Sequence, residues 1–125
     1  MRESTVIQYI EDCLKYADRY YVNVHGSTAM KNGTSDIISC DAAGTLLCIE
    51  GKAPNAAPVA TQWLRAIEVV YSGGRYVIAQ DDFDLDDVDN HEVKTISVPN
   101  DRVNAPLELA KLKITATTEV VRETN

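Results

Sequence analysis

The stretch that decides the fold covers residues 33–52 and reads GTSDIISCDAAGTLLCIEGK. Two short runs of β-branched and apolar residues, at about 36–40 and 45–51, flank a small and flexible turn, which predicts a β-hairpin. The turn of a hairpin fixes the register of its two strands. A turn centred near Ala43 therefore determines which side chains of the two strands lie opposite each other.

Three charged side chains converge at the open end of this hairpin. Side chains alternate between the faces of a strand, so Glu50 and Lys52 share a face, and the predicted register places Asp36 opposite Glu50. Paired carboxylates repel each other unless a cation lies close to both. A hard cation such as Mg²⁺ binds carboxylate oxygens and keeps positions for water and phosphate. The pattern predicts a Mg²⁺ site, with Mn²⁺ as a substitute; the alternative is an exposed Glu50–Lys52 salt bridge worth about 0–1 kcal/mol.

Length and charge indicate one globular domain with an unevenly distributed acidity. We expect a single domain over residues 1–125, with a core of about 3–80 and an acidic C-terminal extension of 81–125. The extension carries eleven Asp and Glu against five Lys and Arg, and accounts for most of the net charge of −7. Nucleic-acid-binding domains are usually basic, so any DNA contact would depend on a local site in which metal offsets the carboxylates.

Cysteine usage favours a reducing compartment. The three cysteines, which contain no C-x-x-C pair, are Cys13, Cys40 and Cys48. We expect reduced thiols that act as small core residues in a cytoplasmic protein, with Cys40 and Cys48 on the inner side of the hairpin. The sequence contains no apolar run of about 18 residues and no secretory pattern at its start, so no membrane partner is expected.

Hydrophobic periodicity predicts the element order α-β-β-β-α-β, followed by the C-terminal extension. Helices are expected over about 4–18 and from Pro58 to the glycine pair at 73–74, and further strands over 20–25 and 75–80. Trp63 lies on the apolar stripe of the second helix and is expected in the core. This order is typical of an α/β (α+β) fold, a mixed β-sheet flanked by helices.

The first helix has an apolar stripe with spacings of three and four residues. Its members are Ile7, Ile10, Leu14 and Ala17. Extended towards the N-terminus, the stripe passes through Glu3, whose carboxylate would then point to the edge of the core. Alternatively, Ser4 is the N-cap, which leaves Glu3 outside the helix.

The C-terminal third gives weaker patterns. The acidic run at 81–89 is typical of a solvated loop. A strand is expected near 93–98, a short helix from Pro106, and another strand near 114–121. The role of this region stays open, and dimerisation is one possibility.

Four motifs stand in order along the first two thirds of the chain. They are Val24-His-Gly-Ser27, Gly33-Thr-Ser-Asp36-Ile-Ile, Ile49-Glu-Gly-Lys-Ala-Pro54 and Pro58-x-x-x-Gln62. In this combination, over about residues 3–80, the chain resembles the VRR-NUC group of the PD-(D/E)XK nuclease superfamily, and in form its small, single-domain phage and bacterial members. The resemblance implies a restriction-endonuclease-like sheet.

The resemblance also implies roles for individual residues. It implies metal ligands at Glu3, Asp36, Glu50 and the Gly51 carbonyl, and catalytic roles for Asp36, Glu50, Lys52 and Gln62. Lys52 matches the lysine of the E-x-K signature, and Gln62 matches a second-helix glutamine that faces the metal site. His25 could touch substrate or metal, but a lone histidine at a strand end more commonly has a structural role.

Two positions depart from the family pattern. Ser35 replaces the usual proline before Asp36, which should matter little because that proline mainly stiffens the turn. Gly51 replaces the usual apolar residue inside E-x-K, and glycine loosens a strand where rigidity is useful.

The function that this resemblance implies is a Mg²⁺-dependent DNA endonuclease that hydrolyses phosphodiester bonds. Family members suggest branched substrates such as Holliday junctions, and cutting two opposed strands calls for a homodimer with two sites. One alternative is a catalytically weak, nuclease-like module that recruits a basic protein partner through its acidic surface. Another is a subunit of a restriction or repair complex.

Overall fold

The computed structural model describes residues 2–124 and contains one six-stranded mixed sheet with helices on both faces. The helices are α1 (Glu3–Tyr16), α2 (Ala60–Tyr71), α3 (Leu85–Asp89) and α4 (Ala105–Leu109). The strands are β1 (Tyr21–Asn23), β2 (Ile37–Cys40), β3 (Leu46–Gly51), β4 (Arg75–Ala79), β5 (Lys94–Val98) and β6 (Thr118–Arg122). Their order in the sheet is β1-β2-β3-β4-β6-β5. The predicted fold class, a mixed sheet flanked by helices in the restriction-endonuclease manner, is confirmed. None of the helices in this part of the chain is long and apolar enough to cross a membrane.

The β2–β3 hairpin has the register that the sequence predicts. The strands are antiparallel, and Ile37 pairs with Ile49. One residue further towards the open end, Asp36 therefore lies opposite Glu50. The prediction of a turn centred near Ala43 is confirmed.

The hairpin turn is organised by one buried carboxylate. Asp41 Oδ1 accepts hydrogen bonds from the backbone N–H groups of Ala43 and Thr45, at 3.0 and 2.8 Å. Gly44 has a φ of +85°, a left-handed conformation that glycine adopts without steric cost. A short side chain that binds its own backbone and a left-handed glycine together set the turn, and the turn sets the register above it.

Two hydrophobic clusters cover the two faces of the sheet. Leu47 and Ile49 of β3 face α1 and α3, whereas Cys48 faces α2 and α4. Trp63 of α2 is fully buried in this second cluster, as predicted. Because side chains alternate along β3, Glu50 shares the face of Cys48 and lies under α2. Asp36, which lies opposite Glu50, is on the same side, so α2 covers the face that holds the two hairpin carboxylates.

The C-terminal third completes the sheet. Strands β5 and β6 pair with each other, and β6 pairs with β4. The prediction of a loop at 81–89 is wrong for residues 85–89, which form α3. The Asp84 carboxylate caps this helix by accepting two backbone N–H groups of its first turn. Phe83 and Val88 are buried between the acidic residues, which gives this run an apolar anchor on the sheet.

Helix α1 differs from its prediction at both ends. It begins at Glu3, with Arg2 as the N-cap, so Ser4 is not the cap and Glu3 lies in the first turn. It ends at Tyr16, and Ala17 is exposed rather than part of the apolar stripe. The start of the helix brings the Glu3 carboxylate to the edge of the core, as the stripe predicts.

The three cysteines are free thiols. Cys48 is buried, as expected for a small core residue, whereas Cys13 and Cys40 are half-buried. The predicted core position is therefore confirmed for Cys48, whereas Cys13 and Cys40 are only partly covered.

A buried ion network joins the hairpin turn to the C-terminal strands. The Arg75 guanidinium donates to both carboxylate oxygens of Glu119, at 2.9 and 2.7 Å, and to Asp41 at 3.1 Å. It also donates to the Val88 carbonyl at 2.7 Å. Arg75, Asp41 and Glu119 are all buried. The network ties β4 to the turn, to β6 and to α3.

Replacement of Arg75 by leucine is expected to destabilise the fold strongly. Two carboxylates, Asp41 and Glu119, would be left buried without a cation, at a cost of about 3–5 kcal/mol in the free energy of unfolding. Urea denaturation followed by circular dichroism measures this loss. The matched control is Arg102→Leu, an exposed arginine, for which a change within about 0.5 kcal/mol is expected. Equal losses in both variants would contradict the role of the network.

Candidate metal centre

The candidate site lies where four elements meet. Asp36 immediately precedes β2, and Glu50 is the second-last residue of β3. Glu3 is the first residue of α1, and Gln62 lies in the first turn of α2. Two helix N-termini, which carry partial positive charge, therefore approach a group of carboxylates.

Asp36 joins the two strands of the hairpin and the loop before it. Its Oδ2 accepts a hydrogen bond from the Gly51 N–H at 2.8 Å, and its Oδ1 lies 2.6 Å from His25 Nδ1. Its backbone carbonyl accepts from the Val24 N–H at 2.8 Å. These contacts hold the carboxylate in one orientation at the end of the hairpin.

Glu50 is the most deeply buried acid of the site. Its exposed fraction is 1%, and its Oε2 accepts a hydrogen bond from Gln62 Nε2 at 2.8 Å. Its Oε1 is buried and has no hydrogen-bond partner among the described residues. Burial, and secondly the nearby charge of Asp36, raise the pKa of Glu50 to about 9. Without a cation, this side chain holds a proton at neutral pH.

Lys52 lies between two of the acids. Its Nζ is 3.7 Å from Glu50 Oε2 and 3.5 Å from Glu3 Oε1. Lys52 and Glu50 are both buried, so the pair is not the exposed salt bridge that the sequence alone allows. One ammonium faces two carboxylates here, which leaves the cluster with excess negative charge when all its acids are ionised.

Gln62 connects the start of α2 to Glu50. Its Oε1 accepts from the Val59 N–H at 2.9 Å, while its Nε2 donates to Glu50. The first bond satisfies a free N–H at the helix N-terminus. The second fixes the Glu50 carboxylate. The predicted motif Pro58-x-x-x-Gln62 therefore starts the helix and orients an acid of the site with one side chain.

Gly51 is required by packing against α1. A Cβ at this position would lie 2.8 Å from Ile7 Cγ1, closer than side chains approach each other. Gly51 is a regular strand residue that pairs with Ala79, and its N–H binds Asp36. The glycine at this position thus allows α1, and Glu3 at its start, to approach β3 closely. Its carbonyl stays a predicted metal ligand.

His25, for which the sequence favours a structural role over contact with metal or substrate, contacts Asp36 directly. The potential ligand atoms of Glu3, His25 and Asp36 lie within 4.8 Å of one another, a spacing at which these three described residues could share a metal ion. The side chains of Glu3 and His25 are 37% and 45% exposed, whereas Glu50 is buried and lies outside this close group. The donors therefore form an outer group of three residues and a buried inner carboxylate, with Asp36 interacting with both.

These residues fit a divalent cation. Carboxylate oxygens suit Mg²⁺, and a single imidazole nitrogen is compatible with Mn²⁺. Buried polar atoms almost always have a partner, and the free Oε1 of Glu50 lacks one. A cation bound to this oxygen would satisfy it and favour the ionised form of Glu50.

Comparison with known proteins finds no matching family model, no matching curated protein and no matching solved structure. Any functional assignment therefore depends on the geometry of the site and on the motifs of the sequence.

The raised pKa of Glu50 predicts a pH-dependent stability in the metal-free protein. An ordinary glutamate has a pKa of 4.5, against about 9 for Glu50 in the fold. Between about pH 5 and pH 9 the folded state keeps a proton that the unfolded chain has released, so the free energy of unfolding falls by about 1.4 kcal/mol per pH unit.

The control for this prediction is Glu50→Gln, because an amide does not titrate. Urea denaturation in the presence of a chelator, repeated across this pH range, should show the slope in the native protein and a flatter profile in the variant. Parallel profiles would mean that Glu50 is ionised in the fold.

Proposed function

We propose that this protein is a divalent-metal-dependent endodeoxyribonuclease, with Mg²⁺ as its metal and Mn²⁺ as a substitute. The observation that carries the proposal is the buried Glu50 carboxylate, which has one free oxygen beside Asp36. Such an arrangement is costly in a purely structural site, because a buried acid without full pairing destabilises the fold. The D…E-x-K motif order supports the same conclusion.

The side chains would divide the work of phosphodiester hydrolysis. Asp36, Glu50 and Glu3 would hold the cation, with His25 as an additional donor and the Gly51 carbonyl as a predicted one. The bound metal would supply Lewis-acid polarisation of the phosphoryl oxygen. Lys52 would orient the attacking water and offset the negative charge that grows on the phosphate.

Gln62 acts through Glu50 rather than on the substrate. Its Nε2 donates to the Glu50 oxygen that also faces Lys52. This bond leaves the other oxygen of Glu50 for the cation. Gln62 is therefore a positioning residue, and its second bond, to the start of α2, fixes its own orientation.

The substrate and assembly follow from the family resemblance. We propose branched DNA such as Holliday junctions, cut by a homodimer that presents two sites. The net charge of −7 disfavours extended contact with the DNA backbone, so binding should be local to the metal centre. The free thiols favour the cytoplasm as the compartment.

Single substitutions that remove the charge of a site residue should strongly reduce DNA cleavage and leave the protein folded. We expect Asp36→Asn, Glu50→Gln and Lys52→Met to lower the Mg²⁺-dependent cleavage of a four-way junction by at least about 100-fold. Fluorescently labelled strands measure the cut, and thermal unfolding checks the fold. The matched control is Lys94→Met on the edge strand β5, which should keep full activity.

Two outcomes would contradict parts of this proposal. If the three site variants cleave as well as Lys94→Met, the metal centre is not the active site. If linear duplex of the same sequence is cut as well as the junction, the preference for branched DNA is wrong.

A groove on another part of the surface favours a second candidate function, a module that binds a basic protein. The groove has a volume of about 500 Å³ and lies between α1 and α3. Its lining combines tyrosines with carboxylates: Tyr9, Tyr16, Asp12, Asp84 and Asp86. Aromatic rings and carboxylates both attract cationic side chains. Isothermal titration with Mg²⁺ separates the two functions, because a pure binding module need not bind the metal.

A further inference from the structure

The groove between α1 and α3 has a lining that the nuclease proposal does not use. It has a volume of about 500 Å³, and Tyr9, Asp12, Cys13 and Tyr16 form its α1 wall. Residues at spacings of three, four and seven lie on one face of a helix, so these four side chains form a second stripe beside the buried one that packs on the sheet. The start of α3 forms the opposite wall.

Two tyrosines of this wall are left uncovered by the fold. The exposed fraction is 97% for Tyr16 and 44% for Tyr9. A tyrosine combines a large apolar ring with a polar tip, and for this reason it is enriched at protein interfaces. Leu85, at the start of α3, adds apolar surface to the same groove. The groove therefore offers ring faces and an apolar contact to a ligand.

The charged part of the lining is entirely acidic. Asp12 of α1 and Asp84 and Asp86 at α3 line the groove, and the described residues of the lining include no Lys, Arg or His. Within residues 2–124, none of these three carboxylates forms an ion pair. Their hydrogen bonds are local, because Asp12 accepts from the Gln8 amide at 3.0 Å and Asp84 caps α3. The groove therefore presents three negative charges that no neighbouring cation offsets.

A metal ion and a nucleic acid both fit this groove poorly. The three carboxylates do not converge in the way that the described residues Glu3, His25 and Asp36 do, so they are too far apart to share one metal ion. The phosphates of a nucleic acid bind to cations, and carboxylates repel them. A cationic group on a longer, partly apolar molecule satisfies both the charges and the rings.

We propose that the groove docks an arginine-bearing segment of a partner protein. A guanidinium stacks on aromatic faces and forms paired hydrogen bonds with carboxylates, and a lysine ammonium cannot form such paired bonds. The carbon stem of the arginine would lie along Leu85 and the tyrosine rings. The inference rests on the second candidate function, the binding module, and names its partner; it does not need the metal centre.

The groove and the metal centre involve opposite ends of α1. Glu3 is the first residue of the helix and Tyr16 is the last, which places them about 20 Å apart along its axis. A partner seated on Tyr16 would therefore leave Glu3 and the metal centre uncovered. Substitutions in the groove should weaken docking without lowering DNA cleavage, and substitutions at the metal centre should do the reverse.

The test is a titration of the full, ¹⁵N-labelled chain with a short peptide that carries two arginines between leucines. Matched peptides carry lysine or the neutral isostere citrulline instead. We expect the largest amide shifts within residues 9–17 and 84–86. The lysine peptide should bind about 2- to 10-fold more weakly than the arginine peptide, and the citrulline peptide at least about 10-fold more weakly.

Variants of the groove locate the binding. Tyr16→Ala should weaken binding of the arginine peptide by about 3- to 10-fold, and Asp12→Asn and Asp86→Asn by about 2- to 5-fold each. These three residues are exposed, so the variants should stay folded. The matched control is Glu123→Gln, which removes one exposed negative charge after β6 and should bind as tightly as the native protein.

Three results would overturn the inference. They are a native protein that does not bind the arginine peptide, a citrulline peptide that binds equally well, and groove variants that bind like Glu123→Gln. If light scattering shows a dimer that Tyr16→Ala dissociates, the occupant is a second copy of this chain, and a separate partner is excluded. The nuclease proposal fails independently, because a protein that cuts no DNA but docks the peptide in the groove keeps this inference.

Discussion

The carboxylate of Glu50 is withdrawn from water beside a second carboxylate, and this constraint shapes the surroundings of the site. Gln62 and Lys52 both approach one of its oxygens, and the other oxygen is left free. Burial of an acid in this state is unfavourable unless a proton or a cation accompanies it. Either a proton on Glu50 or a cation bound beside it would remove this cost.

The position of β3 in the fold keeps the Glu50 side chain buried. Leu47 and Ile49, on the opposite face of β3, pack in the core formed with α1. A shift of β3 by one residue would move this apolar set to the wrong face. Gly51 lets α1 lie close against the end of the strand, which brings Glu3 to within 3.5 Å of Lys52. Core packing and the electrostatics of the site are thus coupled through one strand.

The sequence predicts those features of the site that depend on residues close together in the chain, such as strand alternation, a turn or a helix stripe. The register of Asp36 against Glu50 follows from the two-residue period of the strands and from a turn with Asp41 and Gly44. The stripe of α1 predicts the place of Glu3. The contact of Gln62 with Glu50 has no local signal, and only the resemblance to a nuclease family suggested it.

Other features depend on contacts between distant parts of the chain. His25 reaches Asp36 only because the intervening loop folds back, and no periodicity encodes that return; its place in the Val24-His-Gly-Ser27 motif was the one available signal. Arg75 meets Asp41 and Glu119 across separations of 34 and 44 residues. The sequence predicts a loop where α3 forms, because the acidic residues of this segment outnumber its buried apolar residues, among them Val88. Tertiary packing decides each of these cases, and local propensity does not.

The most direct test of a cation-dependent Glu50 is anomalous diffraction from crystals soaked in Mn²⁺. The account predicts an anomalous peak within coordination distance of Asp36, with ligands from Glu3, His25 or Glu50, and a weaker peak in Glu50→Gln crystals. A soaked crystal with no peak at Asp36, or with a peak that the Glu50 substitution leaves unchanged, would contradict it.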